Sequence, residues 1–174
     1  MANALGFEIV EAVVSSALAN EAADALLKQT QYRREKYDAY NVPNECLLIV
    51  NKFLESPGTS ALAEFLKSTA LPLRPTNVFA GMFRETNADP NKLKTAEEGE
   101  VYVTIALTDL SPKNGWYTFY PGSRKTQPLT SMEPVALDLK AGDAVIWRGD
   151  LVYFHTPGGG GMFLTLVYNK CAAT

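Results

Sequence analysis

The second half of the chain is a succession of short apolar runs divided by turn residues. The runs are Asn77–Arg84, Glu100–Thr108, Trp116–Tyr120, Val135–Leu139, Asp143–Trp147, Leu151–His155 and Met162–Tyr168. The breaks at Asp109 to Gly115, Pro121-Gly122, Ala141-Gly142 and Pro157 to Gly161 are rich in Gly, Pro, Asn and Asp, which supply turn conformations. This spacing predicts short strands throughout the region after Pro75. The first half reads differently. Gly6 to Val14 is a β-rich opening, and Ser15 or Ser16 then caps a helix whose Leu18, Ala22, Ala25 and Leu26 fall three and four apart. That helix is expected to fade through the charged stretch Tyr32 to Tyr37 and to stop before Pro43. Cys46 to Leu54 is a short buried segment, either a strand or a turn of helix. Thr59 to Thr69 is a second helix, with Leu62, Phe65 and Leu66 on one face. Two helices ahead of many strands predict an α+β, mainly β chain, a single domain over 1–174, with the helices covering one face of a sandwich or jelly roll.

Alternation separates the faces of the strands. In Val101 to Leu107 the odd positions are aliphatic while Tyr102 and Thr104 point the other way. Tyr153 and His155 share a face, as do Phe163, Thr165 and Val167. Tyr, Thr and His pointing inward predict a pocket rather than an oily interior. Its expected lining is Tyr102, Thr104, Tyr117, Trp147, Tyr153 and Thr165, side chains that mostly pair an apolar body with a polar tip.

Composition narrows the partners. The 174 residues are 47% hydrophobic, enough for a real core, and the formal charge of −3 with scattered Lys and Arg favours neither nucleic acid nor an anionic membrane. Cys46 and Cys171 form no CxxC pair, so a disulfide framework and a zinc site are both unexpected. No apolar run approaches the ~20 residues that span a bilayer. Glu8 and Glu11 interrupt the N-terminal apolar stretch, which argues against a signal peptide. A cytoplasmic location is expected. The apolar strands are compatible with a homodimer, or with a heterodimer formed with a homologue.

Four passages, taken in order, resemble the phytanoyl-CoA dioxygenase family of iron(II)- and 2-oxoglutarate-dependent oxygenases. They are Gly6 to Ser15 with its following Leu/Ala helix, Ile105 to Gly115 with Tyr120-Pro-Gly-Ser123, Leu139-Lys-Ala-Gly-Asp-Ala144, and Asp150 to Gly158. The resemblance implies a double-stranded β-helix of the cupin-like jelly-roll kind, with a site in the barrel mouth. It also implies that His155 stands where the family keeps its distal metal histidine. The family's His-x-Asp pair belongs in or after Met82 to Pro90, yet His155 is the one histidine of the chain, and Asn87-Ala-Asp89 keeps only the spacing. The arginine that anchors 2-oxoglutarate should follow His155 by about one strand, but Gly158 to Asn169 holds no Arg or Lys.

His155 therefore admits three readings: a satisfied interior histidine, a general acid/base, or a ligand in a site completed by Glu85 or Asp89. The expected catalytic set is His155, Glu85 and Asp89, with no metal and no cofactor. The expected activity is non-oxidative chemistry (isomerisation, cyclisation or proton transfer) on an apolar or aromatic small molecule. Two alternatives stand beside it. One is an Fe(II)/2-oxoglutarate dioxygenase with an unusual ligand set, and the other is a non-catalytic ligand-binding or partner subunit. Pro157 to Gly161 precedes a strand rather than a helix and reads as a rim loop, not a phosphate loop.

Overall fold

The computed structural model describes residues 2–68 and 74–169; Thr69, the expected end of the second long helix, and Cys171 lie outside the described residues. In chain order the elements are α1 (Ala2–Leu5), β1 (Phe7–Val10), α2 (Ser16–Leu26), β2 (Gln31–Arg33), β3 (Tyr37–Tyr40), α3 (Asn44–Leu54), α4 (Gly58–Leu66), β4 (Asn77–Phe83) and β5 (Glu100–Ala106). A 3-10 turn (Pro112–Asn114) leads to β6 (Thr118–Phe119), β7 (Val135–Ala136), β8 (Ala144–Arg148), β9 (Tyr153–Phe154) and β10 (Met162–Asn169).

The strands form a seven-stranded sheet in the order β1-β8-β5-β10-β4-β3-β2 and a three-stranded sheet in the order β7-β6-β9. All strand pairings are antiparallel. Two such sheets with helices against one face make the expected double-stranded β-helix.

The pleat sorts side chains between two cores. Val101, Val103 and Ile105 of β5, Ile146 of β8, and Leu164 and Leu166 of β10 pack against the helices. Their neighbours Trp147, Phe163 and Ala106 point the other way and join Trp116, Phe119 and Phe83 between the sheets. The alternation over Val101 to Leu107 thus assigned the faces of β5 correctly.

Three helices, not two, cover the larger sheet. Ser15 caps α2, its hydroxyl accepting from Leu18 N at 3.1 Å, and Ala19, Ala22, Ala23 and Leu26 are its buried face. The segment left open between strand and helix is α3. Its buried Cys46, Ile49, Val50 and Phe53 recur at helical intervals, with Glu45 in the first turn and Lys52 in the last. Burial pushes the Cys46 thiol up to about 12, leaving it inert at neutral pH. Helix α4 buries Leu62, Phe65 and Leu66, as expected.

One element differs from expectation. The first long helix ends at Leu26, and the charged stretch is not its frayed tail but the hairpin β2–β3, with Gln31 opposite Tyr40 and Arg33 opposite Asp38. Arg34 N donates to Tyr37 O at 2.9 Å to close its tip. Charges at successive positions cannot give a helix an apolar face, whereas aromatic Tyr37 and Tyr40 suit a strand, from whose opposite faces they pack into the two cores. Among the described residues no helix is long and apolar enough to cross a membrane.

Candidate functional site at the barrel mouth

The segment that carries His155 is fixed before it reaches the histidine. Arg148, buried at the end of β8, donates through Nη2 to Ser123 O at 2.8 Å, and its Nε lies 3.1 Å from Asp150 Oδ1. That last pair is a close contact of charges whose direction misses hydrogen-bond alignment. Asp150 Oδ2 also accepts from Arg124 Nη1 at 2.8 Å, and Ser123 Oγ accepts from Val152 N at 2.9 Å. Further along, Tyr153 and Lys94 exchange backbone hydrogen bonds of 2.9 and 2.8 Å. The strand end is therefore held from both sides.

His155 is buried, and its Nδ1 lies 3.3 Å from the carbonyl oxygen of Gly115. A carbonyl can only accept, so the proton of the neutral ring sits on Nδ1 and the lone pair on Nε2. No described residue bonds Nε2. Burial, reinforced by Lys94 and Lys36, pushes the ring's pKa from the ordinary 6.5 down to about 4, against the opposing pull of the Gly115 carbonyl and Glu35. The imidazole is neutral at physiological pH.

Aromatic rings enclose it. Tyr117, Tyr153 and Phe83 stand edge-on to the imidazole, with centroids at 4.9, 5.8 and 6.3 Å. Tyr117 stacks on Tyr153 at 4.4 Å on one side and on Trp116 at 4.4 Å on the other. Tyr102 stacks on Trp147 at 4.6 Å, and Tyr37 meets Phe163 edge-on at 5.3 Å. The hydroxyls of Tyr37, Tyr117 and Tyr153 have no hydrogen-bond partner among the described residues. Burial raises the pKa of all three; for Tyr117 the nearby Tyr153, Tyr37 and Tyr102 raise it further. The Tyr102 hydroxyl is engaged at the rim, donating to Glu100 and accepting from Glu97 N.

Deeper in the barrel the polar groups satisfy one another. Trp147 Nε1 donates to Thr104 Oγ1 at 3.2 Å, and Thr104 Oγ1 lies 3.1 Å from Thr165 Oγ1. Thr104 and Thr165 face each other across β5 and β10. This network forms the floor of the site.

Of the residues expected from sequence, the structure brings His155, Tyr117, Tyr153, Trp147 and Tyr102 into one aromatic cluster and places Thr104 and Thr165 beneath it. It does not bring Glu85 or Asp89 to His155. Both side chains are exposed, and Asp89 Oδ1 instead accepts from the backbone and side-chain nitrogens of Asn91. The carboxylate that acts on the ring is Glu35, at the tip of the β2–β3 hairpin. Sequence reasoning missed Glu35, Lys36, Tyr37 and Lys94. The first three lay in the presumed helix tail, and the aromatic content of Tyr37 and Tyr40 was the one local hint of a strand.

The fold and this site define a jelly-roll protein of the oxygenase-like type, with a mouth built from aromatic rings and one imidazole. The chain belongs to the phytanoyl-CoA dioxygenase family, whose model matches residues 13–154. No curated protein matches it in sequence. Solved structures share the fold at low identity. One is the non-heme alpha ketoglutarate dependent epimerase SnoN from nogalamycin biosynthesis (19% identity, 97% of this chain and 78% of that one, TM-score 0.69). Another is the carbocyclase SnoK from the same biosynthesis (16%, 99% and 83%, TM-score 0.66). A third is HygX from Streptomyces hygroscopicus with nickel and 2-oxoglutarate bound (12%, 99% and 86%, TM-score 0.69).

The residues of this chain do not fit the iron and 2-oxoglutarate that the family implies. Among the described residues no three His, Cys, Asp or Glu side chains converge as a metal-binding group. The side chains nearest His155 include the rings of Phe83, Tyr117 and Tyr153, and neutral phenyl and phenol groups are not ligands of a hard or borderline cation. On β10 the inward positions are Phe163, Thr165 and Val167, and none can pair with a dicarboxylate.

Proposed function

We propose that the chain is a metal-independent member of its family that performs non-oxidative proton transfer on an apolar or aromatic small molecule, as isomerisation or cyclisation requires. One observation carries the reading. A neutral imidazole, pinned through Nδ1, keeps its Nε2 lone pair unengaged inside an aromatic enclosure that also holds three unpartnered phenols. Apolar walls with a few convergent polar groups are the usual make-up of small-molecule sites.

The chemistry follows from the groups present. His155 Nε2 takes a proton from an acidified carbon of the ligand and returns it at a second position, with no net redox change. The depressed pKa keeps the ring in the base form at neutral pH. It also limits the ring's strength as a base, so the barrier must be lowered by stabilising the developing oxyanion. The phenols of Tyr117 and Tyr153 suit that role because their raised pKa values keep them protonated and able to donate. They take the place that sequence gave to Glu85 or Asp89. The family's retained scaffold supports a small-molecule site at the mouth; the epimerase and carbocyclase that share the fold are both non-heme and alpha ketoglutarate dependent, so the metal independence rests on this chain's own residues.

The test is solvent-deuterium wash-in to a panel of aryl ketones and cyclic enones, followed by NMR with a chelator present. The expected result is accelerated exchange that is insensitive to chelator and lost in His155→Gln. Exchange abolished by chelation, or retained in His155→Gln, overturns the proposal.

A further inference from the structure

The rim of the mouth carries a loosely held ion pair. Three charged groups act on His155: the cations Lys94 and Lys36 and the carboxylate Glu35. Lys94 is not a free surface lysine. Its backbone is clamped to Tyr153 in both directions, its side chain is only 21% exposed, and it opens the segment that runs past the stacked Tyr117–Tyr153 pair. Its counter-charge is poorly held by comparison. Glu35 is 68% exposed at a hairpin tip, 3.4 Å from Lys94 Nζ and 3.9 Å from Lys92 Nζ. Exposed pairs of this kind contribute little and are readily exchanged. The other nearby acids are engaged: Asp38 lies 3.8 Å from Arg84 Nε, and Glu100 accepts from Tyr102.

We infer that the ligand of this site is an aromatic carboxylate, its ring received against the edges of Tyr37, Tyr117 and Tyr153 and its negative charge by Lys94 in place of Glu35. The inference rests on the proposed function and names the substrate class for the same site. A planar ring suits a wall of aromatic side chains arranged edge-on about the imidazole, Tyr117 and Tyr153 among them. A carboxylate matches Lys94, whose internal partner is a single solvated carboxylate that the ligand's own group replaces in kind.

Calorimetric titration of the tag-free full chain at low ionic strength tests this with 2-naphthoate and its neutral counterpart 2-naphthalenemethanol. Naphthoate is expected to bind at least about tenfold more tightly, a preference reduced to about unity in Lys94→Met and raised a few-fold in Glu35→Gln. Glu35 lies on an exposed tip, so its variant reports even if Lys94→Met folds poorly. Equal binding of the two probes, or a preference unchanged in both variants, overturns the inference. If both probes bind equally and Tyr117→Leu weakens both, the aromatic site stands and only the anion preference fails. If neither binds, or Tyr117→Leu leaves binding unchanged, the proposed site fails with it.

Discussion

The carbonyl of Gly115 fixes the tautomer of His155. The two atoms lie 3.3 Å apart, and the backbone that presents the carbonyl holds Gly115 at φ +104°, a conformation that side-chain-bearing residues rarely adopt. A Cβ at Gly115 would also collide with the Cβ of Phe83, a ring that itself borders the imidazole.

Gly115→Ala is therefore expected to destabilise the protein by about 2–3 kcal/mol and to move the carbonyl off the ring. Chemical denaturation gives the first quantity. A change in the His155 titration, against an unchanged titration in a control such as Gly99→Ala at a site with open space, gives the second.

Stability should depend on pH through this one imidazole. The unfolded chain takes up a proton near the ordinary 6.5, whereas the folded ring takes it up only near 4. Protons in that interval favour unfolding, so stability is greatest above 6.5 and falls as pH drops towards 4, where the loss levels off at up to about 3 kcal/mol. Urea midpoints measured from pH 7 to 4.5 should show this slope in the native chain and a flatter profile in His155→Gln. Equal slopes would refute the assignment.

The floor of the barrel is a hydrogen-bonded unit, and changing it should not revive 2-oxoglutarate binding. Thr165→Val leaves Thr104 with Trp147 alone and is expected to cost about 1 kcal/mol. Thr165→Arg puts a cation at an inward position of β10 with no counter-charge beside it. The expected cost is more than about 3 kcal/mol, with no gain of thermal stability on adding 2-oxoglutarate. Thermal melts with and without the dicarboxylate check both.

Much of this architecture was legible in the chain because strand alternation is a local signal. Tyr102 and Thr104 opposite Val101, Val103 and Ile105, and Phe163 and Thr165 opposite Leu164 and Leu166, could be assigned to faces without knowing the partner strands. His155 beside Tyr153 was legible for the same reason. The hairpin β2–β3 was not, because its tip is a run of charges that looks like a solvated helix end until Tyr37 and Tyr40 find β4 to pair with. Glu35 and Lys94 reach the mouth only through tertiary pairing across many residues, which no local pattern records. Glu85 and Asp89 failed to approach His155 because the resemblance fixed their place along the chain but not the direction of their side chains.

The most direct test uses the fact that the chain has a single histidine, so its imidazole gives one set of NMR signals in tag-free, 15N-labelled protein. One protonated and one unprotonated ring nitrogen are expected, with Nδ1 carrying the proton, persisting from pH 7.5 to about 5 and unchanged when Fe(II) or Ni(II) is added with 2-oxoglutarate. Stoichiometric broadening or shift of those signals by the metal would show that His155 is a ligand and would contradict the account.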